Sequence, residues 1–181
     1  MSLKLVRLSG LIASAVIGTA LTTGSAVANE WHLAYAHSED DVRGLRAGYR
    51  WTDLPYRMPD WLGRPELQVE TSLNYWQYNA DHSENLAAVT LSPLLQWQFT
   101  EGSEPIFFEF GVGAALMDDT AIADRDLSTH FQFEDRLAVS WQYNQETDAR
   151  VSLTLSHYSN LDFEHPNDGL DFISLRWERP F

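Results

Sequence analysis

From residue 30 onward, apolar and polar positions alternate with a period of two, the mark of strands with two unlike faces. The alternation predicts eight strands, over roughly Glu30–His37, Val42–Thr52, Arg64–Tyr78, Leu86–Thr100, Pro105–Met117, Leu127–Asn144, Ala149–Ser159 and Gly169–Phe181. In the third, Leu67, Val69, Thr71, Leu73 and Tyr75 share one face, and Gln68, Glu70, Ser72, Asn74 and Trp76 share the other. In the seventh, Val151, Leu153 and Leu155 oppose Ser152, Thr154 and Ser156. In the eighth, Ile173, Leu175, Trp177 and Phe181 oppose Ser174, Arg176 and Glu178.

Long strands with one apolar and one polar face suit a soluble β-sandwich with the apolar face inward, or a transmembrane barrel with it outward. Three features favour the barrel. The polar faces carry both signs of charge on neighbouring strands (Arg46, Arg50, Glu70, Glu109, Glu134, Arg136, Arg176 and Glu178), which suits a lumen filled with ion pairs. Aromatic residues gather toward strand ends, among them Trp31, Trp51, Trp97, Trp141 and Trp177, as in interfacial girdles. The last strand ends on Phe181, which resembles the C-terminal assembly signal of bacterial outer-membrane barrels. Backbone groups in lipid must pair internally, so the sheet is expected to close. Eight strands match the smallest such barrels, whose interiors side chains just fill. The expected fold is thus an all-β, eight-stranded antiparallel transmembrane barrel.

Composition adds a compartment. Lys4 and Arg7 precede an apolar run from Leu8 to Leu21, and small residues follow, ending in Ala26-Val27-Ala28. A positive start, a short apolar stretch and an A-x-A site predict a cleaved secretory signal peptide over 1–28. The barrel domain then spans 29–181, with its N-terminus periplasmic. The short links Glu101–Glu104 and Gln145–Asp148 fall on the periplasmic side, as does the longer Asp53–Gly63, which fits that side least well. Asp118–Asp126 and Asn160–Asp168 face outside. A formal charge of −14 argues against a nucleic-acid partner. The absence of cysteine excludes disulfides, a thiol nucleophile and cysteine-ligated metals.

The candidate chemistry lies in the last hairpin. His157 and Ser159 share parity with Val151, Leu153 and Leu155, and Asp171 shares parity with Ile173 and Leu175. All three should therefore point outward, at the outer ends of two adjacent strands. Ionisable groups facing lipid are costly and are functional candidates. A histidine with a hydroxyl on one side and a carboxylate on the other is the arrangement of acyl transfer.

His157-Tyr158-Ser159-Asn160, followed by Pro-Asn-Asp-Gly-x-Asp at 166–171, resembles the PagL family of outer-membrane lipid A 3-O-deacylases. The architecture agrees over the whole mature chain, and the specific residues lie in 157–171. The resemblance implies hydrolysis of the ester that holds the 3-hydroxyacyl chain at position 3 of lipid A. It assigns Ser159 as nucleophile, His157 as general base and Asp171 as the acidic member, where the family's founding enzyme has Glu. Asn160 and Asn167 match the motif's asparagines, and backbone N–H groups near Asn160 or the Asn167 amide are expected to hold the oxyanion. The expected partners are lipopolysaccharide and the outer membrane, with no cofactor and no metal; the oligomeric state is open, a homodimer included. The alternative is a non-enzymatic small barrel, structural or adhesive, which has no reason to place His, Ser and Asp against lipid. The remaining histidines receive plainer readings: His32, His37 and His82 solvated, His130 in the lumen with Gln132 and Glu134, His165 in the motif loop. The acidic segment 118–126 lacks the spacing of a calcium loop and is expected to be a solvated outer loop.

Overall fold

The structure, a computed structural model, describes residues 29–52 and 54–181. The expected signal segment 1–28 lies outside the described residues. Among the described residues ten strands appear in chain order: β1 (Glu30–His37), β2 (Arg43–Trp51), β3 (Glu66–Tyr78), β4 (Glu84–Gln98), β5 (Ile106–Met117), β6 (Ala121–Ile122), β7 (Arg125–Asp126), β8 (Phe131–Asn144), β9 (Ala149–Ser159) and β10 (Leu170–Pro180). Eight of them close an antiparallel barrel in the order β1-β10-β9-β8-β5-β4-β3-β2. Closure is made by β1, which pairs Glu30 with Pro180 on one side and with Arg50 on the other. The eight expected strands are all present, with ends that shift by a few residues. β6 and β7 form a small separate hairpin where the sixth strand was expected to begin. Positive φ at Ala123 (55°), Asp124 (61°) and Ser128 (59°) turns the chain there, so the barrel strand starts only at Phe131.

The barrel has two unlike rims. One carries the start of β1, the end of β10, the short links after β4 and β8, and a 3-10 turn at Asp60–Leu62 tied down by Trp97 Nε1 donating to Leu62 O (2.8 Å). The other carries the β6–β7 hairpin and the links after β1, β3 and β9. The wall follows the predicted alternation. Leu33, Tyr35, Leu45, Leu73, Leu91, Leu137, Leu153, Leu155 and Leu175 are exposed, while Gln68, Glu70, Glu109, Glu134, Arg136 and Arg176 are buried. Apolar side chains outside and charges inside invert a soluble protein's pattern and suit a wall bathed in lipid.

The lumen has two parts. Toward the termini, five arginines (Arg46, Arg50, Arg136, Arg150 and Arg176) meet five glutamates (Glu30, Glu70, Glu109, Glu134 and Glu178). Glu70 is the hub: Arg46 and Arg50 each reach it at 2.8 Å and Arg136 at 2.7 Å. Arg50 also reaches Glu109 at 2.8 Å, and Arg46 binds Glu134. His32 belongs to this network, 3.6 Å from Glu70 and buried, rather than to the solvated positions expected for it. Gly48 makes room for its ring, since a Cβ there would lie 2.2 Å from His32 Cε1. Toward the loop rim the inward face turns apolar. Trp76 stacks on Phe172 at 5.0 Å, and Ile122 and Leu127, from the hairpin region, join the same buried cluster. His130 also departs from expectation: it is exposed at this rim, its Nδ1 at 3.0 Å from Met117 O, and lies outside the lumen.

Burying charges is tolerable only when each is paired, so removing a hub leaves several uncompensated. Glu70→Ala is expected to destabilise the folded barrel by about 3–5 kcal/mol. A lower urea midpoint for the refolded protein in lipid is the measurement that checks it.

Candidate active site

Antiparallel pairing sets three outward side chains in a row across the loop half of the wall. On β9, His157 lies opposite Asp171 of β10 on one side and Asp135 of β8 on the other. His157 Nδ1 and Asp171 Oδ1 are 2.8 Å apart. That distance is a short hydrogen bond of the kind that fixes a histidine tautomer and leaves Nε2 directed elsewhere. One row nearer the rim, Ser159 faces outward beside Phe133, its partner on β8. Two residues along a strand is a step of about 7 Å, so the hydroxyl-bearing residue follows the imidazole on the same face. Ser159 is nevertheless buried (7% exposed), and its hydroxyl makes no hydrogen bond among the described residues. Beside it, the Phe163 ring lies 6.2 Å from that of Phe133.

Tyr158 holds this stretch from the other face. It points inward, donates to Glu134 (2.7 Å), accepts from Arg46 Nη1 (3.2 Å) and packs edge-on against Trp76 at 5.2 Å. The residue between His157 and Ser159 is therefore fastened to both halves of the lumen.

The two asparagines are anchored within the loop 160–169. The Asn160 N–H donates to Asn167 Oδ1 (3.0 Å). Asn160 Nδ2 donates to Leu127 O and Glu164 O, both at 3.0 Å. Every donor of Asn160 is thus committed. Asn167 Nδ2 donates to Asp162 Oδ1 (3.0 Å) and keeps its second hydrogen.

A groove of about 570 Å³ runs down the wall from this row. Its rim end is polar, with Glu39, Asp135, His157 and Asp171; its mid-barrel end is apolar, with Phe110, Leu137, Leu155 and Ile173. The four apolar residues are successive cross-strand neighbours at one level. Asp135 and Glu39 escaped the sequence reading. Asp135 carried the signal that marked Asp171, a carboxylate at the parity of Leu137 and Val139. His165, in the motif loop, is exposed.

Three comparisons bear on this arrangement. The family model described as "Lipid A 3-O-deacylase (PagL)" matches residues 43–180. The lipid A deacylase PagL of Bordetella bronchiseptica is 27% identical over 148 residues, which is 76% of this chain and 80% of that protein. The lipid A deacylase PagL of Pseudomonas aeruginosa is 27% identical over 160 residues, 82% of this chain and 90% of that protein. In fold, the chain is similar to the crystal structure of the outer membrane enzyme PagL, with a TM-score of 0.74 and 24% identity over 84% of this chain and 99% of that one.

Gly169 is where the loop enters β10, at φ +68°, and a Cβ there would lie 2.9 Å from His157 Cε1. Gly169→Ala is expected to displace the imidazole, shifting the His157 ring resonances in NMR spectra of the refolded protein. Gly102→Ala, also at positive φ but with nothing within 4 Å, is expected to leave them unchanged.

Proposed function

Because the chain belongs to the PagL family of lipid A 3-O-deacylases, we propose that it hydrolyses lipid A through a Ser159–His157–Asp171 triad on the outer face of its barrel. The observation that carries this reading is the 2.8 Å His157–Asp171 pair, with Ser159 on the same outward face of β9. Residues 1–28 serve as the export signal, and the hairpin rim faces the cell exterior. Lipid A of the outer leaflet reaches the wall laterally, its headgroup at the polar end of the groove and an acyl chain along Phe110, Leu137, Leu155 and Ile173.

The Ser159 hydroxyl attacks the carbonyl of the ester at position 3, and its proton passes to His157 Nε2. Asp171, on Nδ1, holds the tautomer and stabilises the imidazolium that forms. Asp in place of Glu suffices here, because two directly paired strands bring its carboxylate to the ring. The negative charge on the tetrahedral oxygen falls to the spare hydrogen of the Asn167 amide. Asn160 is instead a loop anchor, its donors being committed. Collapse breaks the ester C–O bond, and His157 gives its proton to the departing sugar oxygen, which leaves as a hydroxyl. Water, deprotonated by His157, then releases the 3-hydroxy fatty acid from Ser159.

Mass spectrometry of lipid A incubated with refolded protein is the test. Loss of one 3-hydroxyacyl group is expected, with Ser159→Ala and His157→Ala each slower by at least about a thousandfold. Unchanged lipid A from folded wild-type protein returns the chain to the non-enzymatic alternative. Asp171→Ala is expected to cost at least tenfold more than Asp135→Ala, because His157 hydrogen-bonds the former.

A further inference from the structure

Asn167 stands in a loop of ten residues, 160–169, that contains no strand or helix. Two of its non-glycine residues, Leu161 (φ 55°) and Asp162 (φ 61°), adopt left-handed conformations. Such a segment keeps one geometry only when its surroundings impose it. The surroundings here are the β6–β7 hairpin and the residues just after it, and they grip the residues on either side of Asn167.

On one side, Ser128 Oγ donates to Pro166 O. On the other, the Asp126 N–H donates to Asp168 Oδ2 (2.8 Å), and the Asp168 N–H returns a bond to Asp126 O (3.2 Å). Arg125 Nη1 donates to Asp168 O (3.1 Å), while its Nη2 reaches Asp40 at 2.9 Å in the link after β1. One guanidinium therefore ties three outer segments together. The Asp40 hydrogen bond raises the Arg125 pKa further, so the cation persists. The hairpin has a firm footing of its own: Ile122 and Leu127 are buried in the apolar lumen, and the Ala123 N–H donates to Glu84 Oε2 (2.7 Å).

We propose that Arg125 and Asp168 are positioning residues, a clasp through which the β6–β7 hairpin holds the 160–169 loop, and with it the Asn167 amide, in register with Ser159. The proposal rests on the deacylase site described above. Neither residue touches the reacting atoms. Their effect is on the fraction of molecules whose loop is correctly placed, and it falls on kcat rather than on KM, because displaced donors weaken the transition state more than the bound ester.

The test uses the full refolded barrel, with lipid A as substrate and amide exchange followed by mass spectrometry. Asp168→Ala is expected to speed exchange across 160–169 without affecting the barrel strands. It should also lower kcat about tenfold at nearly constant KM. Asp168→Asn, whose amide oxygen still accepts from the Asp126 N–H, is expected to restore both. Arg125→Ala should loosen 160–169 and, unlike Asp168→Ala, also 38–42. Should Asp168→Ala not fold, Arg125→Lys, which loses the bridging fork, takes its place. Unchanged exchange over 160–169 in the variants overturns the clasp, whatever the activity. So does an unchanged kcat in a loosened loop, or failure of Asp168→Asn to restore. Absence of deacylation by wild-type protein overturns the deacylase reading instead, and the exchange measurements still decide the clasp.

Discussion

A strand in hydrocarbon has nowhere to send its backbone amides except to another strand, and the last strand can satisfy its own only by returning to the first. In this chain the return is made by β1 against β10, in continuous register from Glu30 to His37. Closure then leaves each residue one of two fates, outward to lipid or inward to a narrow lumen. The apolar skin, the buried ion pairs and the lateral position of His157, Ser159 and Asp171 are consequences of that single requirement. The proposed chemistry accordingly stands on the wall itself, at the head of a groove in its outer face.

The lumen carries the strand positions. Five arginines and five glutamates are desolvated together, and Glu70 reaches across the interior to strands on opposite sides. Such clusters are costly to break and specify one arrangement, because any shift in register leaves a charge unpaired. Tyr158 ties this order to the proposed site. It sits between His157 and Ser159 in sequence, with its hydroxyl on Glu134 and its ring against Trp76. The inward face thus sets what the outward face presents.

Most of the fold was legible because closure writes itself as a period of two. The outward parity of His157, Ser159 and Asp171 came from the same rule, and the pairing of β9 with β10 brings two of them to 2.8 Å. The rule was silent where periodicity was short or its faces mixed. β6 and β7 have two residues each, too few to alternate, so the hairpin that contacts the motif loop read as solvated acid. His32 looked like a strand-end residue because nothing local reveals that Gly48 and Glu70 stand opposite it. Trp76 and Phe172 show that inward does not mean polar near the loop rim, where the hairpin seals the lumen with Ile122 and Leu127. The commitments of Asn160 depend on carbonyls four and thirty-three residues away, which no motif records.

The groove beneath His157 lies open on the outer face of the barrel wall. In a soluble hydrolase the protein encloses the substrate and supplies every contact. On the proposed reading the far side of the pocket is the neighbouring lipid, and the bilayer acts as a removable half of the binding site. Chain order, thickness and headgroup charge in the membrane then enter the reaction as directly as a side chain does. The amount of substrate met by the site is an areal density, fixed by the composition of one leaflet and not by any concentration in solution. The same polypeptide moved between two membranes presents, in this sense, two different pockets.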